Sequence, residues 1–295
     1  LGFRPVTYKP PHLLIDGDVI AFTAAAAAQK VYEDRFGIIQ PFVHRQEAEA
    51  IADNLIGGLL SGFSTESFEV HLSDPKQNWR KDIMPTYKGN RAEDFAGQVR
   101  PLALPHIKDY LVTKYGAAFW PELEADDSLA IRSTEPHEGD RIICGKDKDF
   151  KTVPGKYHRL KDFDAKGNPL VNEITPWQAT RFHLFQTLKG DPTDGYPGCP
   201  GMGDTRANEL LDHPVMLRAT HGVKTSGKNK GDPTVKWVSE PTTDLWEAVV
   251  THYKKAGLTE DDALLNARVA NILHADQYGE DRTITLWTPD RIKYA

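Results

Sequence analysis

His12-Leu13-Leu14-Ile15-Asp16-Gly17-Asp18 is a short unbroken apolar run that ends in acids. A run of this length with no polar alternation reads as a strand buried on both faces, and the alanine-rich continuation Val19 to Lys30 reads as a helix. The same unit returns twice. Gln46 to Phe63 carries Ile51, Leu55 and Leu59 at helical spacing and leads into Phe68-Glu69-Val70-His71-Leu72-Ser73-Asp74. A helix from Pro121 to Ser133 then leads into Arg141-Ile142-Ile143-Cys144-Gly145-Lys146-Asp147-Lys148-Asp149. Strands alternating with helices predict an α/β fold with a mainly parallel sheet, whose carboxyl-terminal strand edge is where ligands bind. From Pro176 onward the pattern is helical: Trp177 to Lys189, a Gly/Pro-rich loop over 190–203, Thr205 to Leu211, Thr243 to Ala256 and Thr259 to His274.

The chain has 295 residues, 39% hydrophobic and 26% charged, which excludes a low-complexity disordered chain. The longest strongly apolar stretch, Val19 to Ala28, is far shorter than the roughly 20 residues that span a bilayer. No membrane association is expected, and a cytoplasmic setting is. Two cysteines, Cys144 and Cys199, supply neither a disulfide framework nor a zinc spacing.

The recurrent feature is clustered acids: Asp16 with Asp18, Asp74, Glu124 with Asp126 and Asp127, Asp147 with Asp149, and Asp191 with Asp194. Any one pair has a plain reading as a solvated surface or a helix cap. Several at strand ends suggest a site where a cation offsets their repulsion, and oxygen-only ligands favour Mg²⁺ or Mn²⁺. A pair of such ions suits phosphodiester cleavage. The net charge of −6 at first argues against a nucleic-acid partner. With nine of the 42 acids counted as ligands against the 36 cations, the rest of the chain is +3.

Trp79 to Arg91 combines cations with an aromatic: Arg80, Lys81, Lys88 and Arg91 with Tyr87. Cations there would neutralise a scissile phosphate and Tyr87 would stack on a base; an exposed basic loop is the plain alternative. The loop through Gly201 and Gly203 opens a helix at Thr205, an arrangement that lets backbone N–H groups approach a phosphate. Gly222 to Asn229 nearly matches a phosphate-binding loop but ends in Asn229 where Ser or Thr would hold Mg²⁺, and reads as a basic turn that brings Lys228 to DNA. Asp16-Gly-Asp18 would also suit an aspartyl-phosphate phosphatase, which leaves residues 124–127 and 147–149 unexplained. A non-catalytic DNA end-binding protein is the third reading.

Taken in order, Leu14-Ile15-Asp16-Gly17, Asp74, Tyr87-Lys88-Gly89-Asn90-Arg91, Glu124-Ala125-Asp126-Asp127, Asp147-Lys148-Asp149 and Gly190-Asp191-x-x-Asp194 with the following Pro-Gly-x-Gly resemble the flap endonuclease and 5′→3′ exonuclease superfamily. The tail is similar to that of the exonucleases of T7-like podophages. The resemblance implies a PIN-like core over 1–189 with a helical arch at about 75–110, and a helix-two-turn-helix and C-terminal helical DNA-binding region over 190–295. It implies two Mg²⁺ ions, the first held by Asp16, Asp74, Glu124, Asp126 and Asp127 and the second by Asp147, Asp149, Asp191 and Asp194. Lys88 and Arg91 would act on the scissile phosphate. Gly201, Gly203 and Thr205 would hold the duplex, with a K⁺ ion in that loop left open. The implied substrate is duplex DNA with a 5′ end or flap, RNA–DNA hybrid being open. The implied setting is a monomer in the cytoplasm of an infected bacterium, with a phage single-strand-binding protein as a partner by analogy.

Overall fold

A computed structural model describes residues 9–89 and 100–294. Strand β1 (His12–Asp16) is paired in parallel on both sides, to β4 (Phe68–Leu72) and to β6 (Arg141–Gly145). Leu13, Leu14 and Ile15 are fully buried, which is why the run admits no polar alternation. The six-stranded sheet continues to β5 (Ala118–Phe119) beyond β4, and to β7 (Gly155–Arg159) and the antiparallel edge strand β8 (Asn172–Ile174) beyond β6.

Two buried clusters flank the sheet. One gathers α1 (Gly17–Ala28), α2 (Arg45–Gly62) and α4 (Leu104–Tyr115) against Leu13, Ile15 and Ile142. The other gathers α5 (Ala125–Thr134), Phe150, Tyr157 and Ile272 against Leu14 and Ile143. Helix α1 lies close to the sheet because it presents Gly17, Ala21, Ala24, Ala25 and Ala28 inward. A Cβ on Gly17 would sit 2.7 Å from the carbonyl oxygen of His71. The inward stripe of α2 is Ala48, Ala52, Ile56 and Leu59; Ile51 and Leu55 only flank it, because small residues let α2 approach α1.

Two hairpins depart from the sequence reading. Gln29 and Lys30, expected in the first helix, begin β2 (Gln29–Glu33), which pairs with β3 (Ile39–Val43). In the expected helical tail, β9 (Val215–Val223) pairs with β10 (Pro233–Pro241). Valine and threonine on both sides of a Gly/Asn/Asp turn carried that signal. The fifth helix starts at Ala125 rather than Pro121.

The chain divides into two compact units: Leu1–Trp79, Ala92–Ala179 and Ile272–Thr285 form one, and Arg80–Arg91, Thr180–Asn271 and Leu286–Ala295 the other. Arg80 and its neighbours, grouped by sequence with the core, thus belong to the second unit. That unit holds α3 (Arg80–Ile83), most of α6 (Pro176–Lys189), then α7 (Asp204–Asp212), α8 (Leu245–Lys255) and α9 (Glu260–Ala270). The arch expected at about 75–110 falls partly outside the described residues. Among the described residues no helix is long and apolar enough to cross a membrane.

Candidate active site and nucleic-acid interface

Three adjacent parallel strands deliver acids to one edge of the first unit. Asp16 ends β1 and is registered opposite His71 of β4, and Asp74 follows β4 by two residues. Asp147 follows β6 by two residues, with Asp149 in the 3₁₀ turn it caps. The start of α5 is fastened beside them: Ser73 Oγ accepts the Ala125 N–H at 3.0 Å, and Asp74 accepts the Glu122 N–H at 2.8 Å. Glu124, the residue before α5, and Asp126 in its first turn therefore lie at the same edge.

Asp16 is 3% exposed and caps α1 by accepting the Val19 N–H at 3.1 Å. Burial, with the charges of Asp18 and Asp147 behind it, pushes its carboxyl up to about 7. Burial opposes ionisation of Asp74 too, but the N–H groups of Glu122, Lys76 and Gln77 hold its carboxyl below the usual range. Asp18 has a separate task, accepting the Ser73 N–H at 3.0 Å and facing Lys108 Nζ at 2.6 Å. Lys108 carries no sequence signal, being one of two lysines on its helix.

Asp127 differs from its neighbours. It is fully buried and accepts from Trp79 Nε1 at 3.1 Å, from Leu273 N at 3.1 Å and from Glu124 N at 3.4 Å. Its oxygens thus tie together Trp79, the start of α5 and the segment after Asn271, a holding task that stands beside its expected place among the metal ligands. The expected gathering is also looser than the spacing implied: among the described residues, no three His, Cys, Asp or Glu side chains stand closely enough to hold a metal ion. Like charges keep apart, and the carboxylates have local N–H partners. The donor set still fits a hard cation, because it is all oxygen and because Asp16 is a buried acid whose ionisation a cation would relieve.

In the second unit, Asp191 accepts the Thr193 N–H at 2.9 Å. Asp194 is met by Tyr87 and Lys88. Its carbonyl accepts the Lys88 N–H at 2.8 Å, its Oδ2 accepts from the Tyr87 hydroxyl at 3.3 Å, and Lys88 Nζ lies 3.8 Å from Oδ2 and 4.9 Å from the Tyr87 ring centre. Two expected DNA contacts are corrected here. Tyr87 is 2% exposed, packed with Met84, Tyr196, Val269 and Ala270, and offers no face to a base. Arg80 is 3% exposed and donates from Nε to the Val269 carbonyl at 3.0 Å and from Nη2 to the Asn271 carbonyl at 2.7 Å. It anchors α3 to the end of α9. Lys81 is exposed, and Arg91 lies outside the described residues.

The glycine loop rests on a contact the sequence did not announce. Gly190 and Gly198 both have positive φ and face each other so closely that a Cβ on Gly198 would lie 2.3 Å from the Gly190 nitrogen. Gly198 N–H donates to Asn266 Oδ1 at 2.9 Å. Gly201, Gly203 and Thr205 are exposed, and Arg206 returns to the Gly201 carbonyl at 3.0 Å. Gly201 also lines an open cleft of about 840 Å³ whose charged lining is Arg206, Glu209 and Lys255. Lys189 pairs with Asp204 at 2.6 Å. Lys228 is exposed in the turn between β9 and β10.

No protein-family model matches the chain. Individual relatives do. An exodeoxyribonuclease of enterobacteria phage T3 is 33% identical over 94% of this chain and 92% of its own length. An exonuclease of Escherichia phage T7 is 33% identical over 94% of this chain and 93% of its own. Among solved structures, the phage T5 D15 flap endonuclease in a pseudo-enzyme-product complex with DNA and metal ions aligns with a TM-score of 0.58 at 15% identity, covering 89% of each chain, and shows the same fold. The chain belongs to the phage exodeoxyribonuclease family, within the flap endonuclease and 5′→3′ exonuclease superfamily of nucleases.

Proposed function

We propose that this nuclease hydrolyses phosphodiester bonds from the 5′ end, or at a 5′ flap, of duplex DNA and leaves 5′-phosphorylated products. The observation that carries the reading is the delivery of Asp16, Asp74 and Asp147 to one edge by three adjacent parallel strands, with Glu124 and Asp126 fastened beside them. Asp16, Asp74, Glu124 and Asp126 are the first candidate ligands of a divalent cation. Asp147 and Asp149, in the first unit, and Asp191 and Asp194, in the second, are the other candidate oxygen ligands. Such a cation supplies Lewis-acid activation of water and of phosphoryl oxygens. The chain's own part is to hold the carboxylates: Val19 fixes Asp16, Glu122 fixes Asp74, and Asp127 positions the start of α5.

Lys88 is proposed to stabilise charge on the transferring phosphate. Its ammonium, near Asp194 and over the Tyr87 ring, is only partly exposed and oriented from both sides. Gly201, Gly203, Thr205 and Lys228 are proposed contacts to the uncleaved duplex and Lys81 a further DNA contact, while Arg91 is proposed to act with Lys88 on the scissile phosphate. The reading extends to two Mg²⁺ ions with Mn²⁺ as a substitute, K⁺ on the loop carbonyls, a monomer, and work in the cytoplasm of an infected bacterium. The phosphatase alternative loses ground because Asp16, its would-be nucleophile, is buried and already caps a helix.

The test is digestion of one duplex labelled at either end, with Mg²⁺ or EDTA, by the wild type and by Asp126→Ala. Early release of the 5′ label as short 5′-phosphorylated products, abolished by EDTA and by the substitution, is expected. Intact DNA with shifted mobility under every condition would leave a binding protein.

A further inference from the structure

Apart from Lys228 at its turn and Val215 at its base, the hairpin β9–β10 has no part in the site described above. Its strands pair along their whole length, from Val215 opposite Pro241 to Val223 opposite Pro233. Nine residues at about 3.3 Å each make a ribbon of roughly 30 Å. Only the base is supported: Leu217 is buried, and its N–H donates to Thr251 Oγ1 of α8 at 3.0 Å. From Thr220 to Pro233 every residue is exposed. A two-stranded ribbon open on both faces gains little stability from its own burial, so its length calls for an external partner.

The charge of the ribbon identifies that partner. Val215–Pro241 holds Arg218, Lys224, Lys228, Lys230 and Lys236 against Asp232 and Glu240, a net +3 in a chain of net −6. Arg218 pairs with Glu240 at 3.0 Å and Lys224 with Asp232 at 3.8 Å. The surplus is therefore Lys228 and Lys230 in the turn and Lys236 on the strand. Single-stranded nucleic acid is held on several exposed aromatic rings, and the ribbon offers no exposed Phe, Tyr or Trp: Trp237 is half-buried and His221 stands alone. Three exposed valines, Val223, Val235 and Val238, do not make the aromatic- and arginine-rich centre of a protein interface. Phosphates of a duplex, bound without sequence reading, match what is present. The ribbon also begins three residues after α7, and its first residue, Val215, lines the cleft beside Arg206 and Lys255.

We propose that β9–β10 is an arm that lies along the backbone of the uncleaved duplex and holds it through Lys228, Lys230 and Lys236, over about nine base pairs at 3.4 Å each. The inference rests on the nuclease reading above and adds the length of duplex it needs. The experiment compares the wild type with Lys228→Ala/Lys230→Ala/Lys236→Ala, measuring affinity in EDTA against salt for duplexes of about 8 and about 24 base pairs. Three lost phosphate contacts lower the salt slope by about 2.7, so on the long duplex the wild type loses about 40-fold more affinity than the variant between 50 and 200 mM salt. On the short duplex the two slopes run together. A second variant, with residues 220–236 replaced by Asn-Gly and its melting temperature checked, reproduces the result without relying on lysine side chains alone.

Equal slopes on the long duplex would overturn the arm and leave the ribbon to a protein partner. An equal fall in slope at both lengths would overturn it as well, placing the lysines at the cleft. Wild-type protein that releases no 5′ label in Mg²⁺ would instead overturn the nuclease reading, so the two failures are distinguishable.

Discussion

Asp126 and Asp127 are chain neighbours with different tasks, because successive residues of a helix point about 100° apart. Asp126 stays half-exposed at the strand edge, whereas Asp127 turns inward to three N–H donors. Asp127→Ala would leave those donors buried and unpaired, at a cost of about 3 kcal/mol or more, so its loss of activity would report folding. Chemical denaturation should show that loss for Asp127→Ala, while Asp126→Ala stays within about 1 kcal/mol of the wild type and cleaves no DNA. Equal stability of the two variants would contradict that holding task. For Lys88, the proposed action of its ammonium on charge that grows in the transition state predicts that alanine lowers kcat far more than it weakens DNA binding. Equal losses in both would contradict that role.

At the scale of the element, the loop between α6 and α7 separates glycines that shape the backbone from glycines that leave room for a ligand. Gly198→Ala would place its Cβ against the Gly190 backbone at a positive φ, and should destabilise the protein by about 3 kcal/mol or more in thermal or chemical unfolding. Gly203 has ordinary φ and nothing within 4 Å of a would-be Cβ. Gly203→Ala should therefore leave the melting temperature in place and weaken duplex binding, because only an incoming phosphate meets the new methyl group. A lowered melting temperature with unchanged binding would reverse that assignment. The strand-end unit works likewise: Glu69 on β4 is hydrogen-bonded by His71 and Arg132, which hold its carboxyl far below the usual range, and His71 in turn lies 2.9 Å from Ser128 on α5. Through that chain β4 sets where the first turn of α5 stands.

For the whole molecule, the buried Asp16 at the strand edge makes stability depend on pH, and the proposed cation site makes it depend on Mg²⁺ as well. The Asp16 carboxyl titrates near 7 in the folded protein and near 3.8 when unfolded, so between those values the folded state holds a proton that the unfolded state has released. Stability on this account falls as pH rises from about 4 to about 7, and the penalty is complete above that window. Melting in EDTA at pH 5 and pH 8 should show the drop, and Asp16→Asn should flatten it. Mg²⁺ added at pH 8 should recover it, because a ligand that binds only the folded state stabilises that state. A melting temperature at pH 8 indifferent to Mg²⁺ would argue that these carboxylates hold no divalent ion.

The alternation of strands and helices around a mainly parallel sheet, the acids at strand ends and the family were legible in the sequence; the strand order was not. Apolar runs with abrupt acidic ends are local patterns, and a buried parallel strand leaves no other way to write them. The blocks at 124–127, 147–149 and 190–203 are local too. Which way each side chain faces and what it meets depends instead on how the chain packs in space. Arg80, Tyr87 and Asp127 carry the residue types expected of a DNA or metal site, yet each is buried against backbone or side-chain partners. Arg80 and Asp127 reach partners more than a hundred positions away in the chain. Gly190 and Gly198 are eight residues apart, and their contact follows from how the loop closes on itself. Burial and pairing of that kind depend on distances through space, and a linear pattern does not contain them.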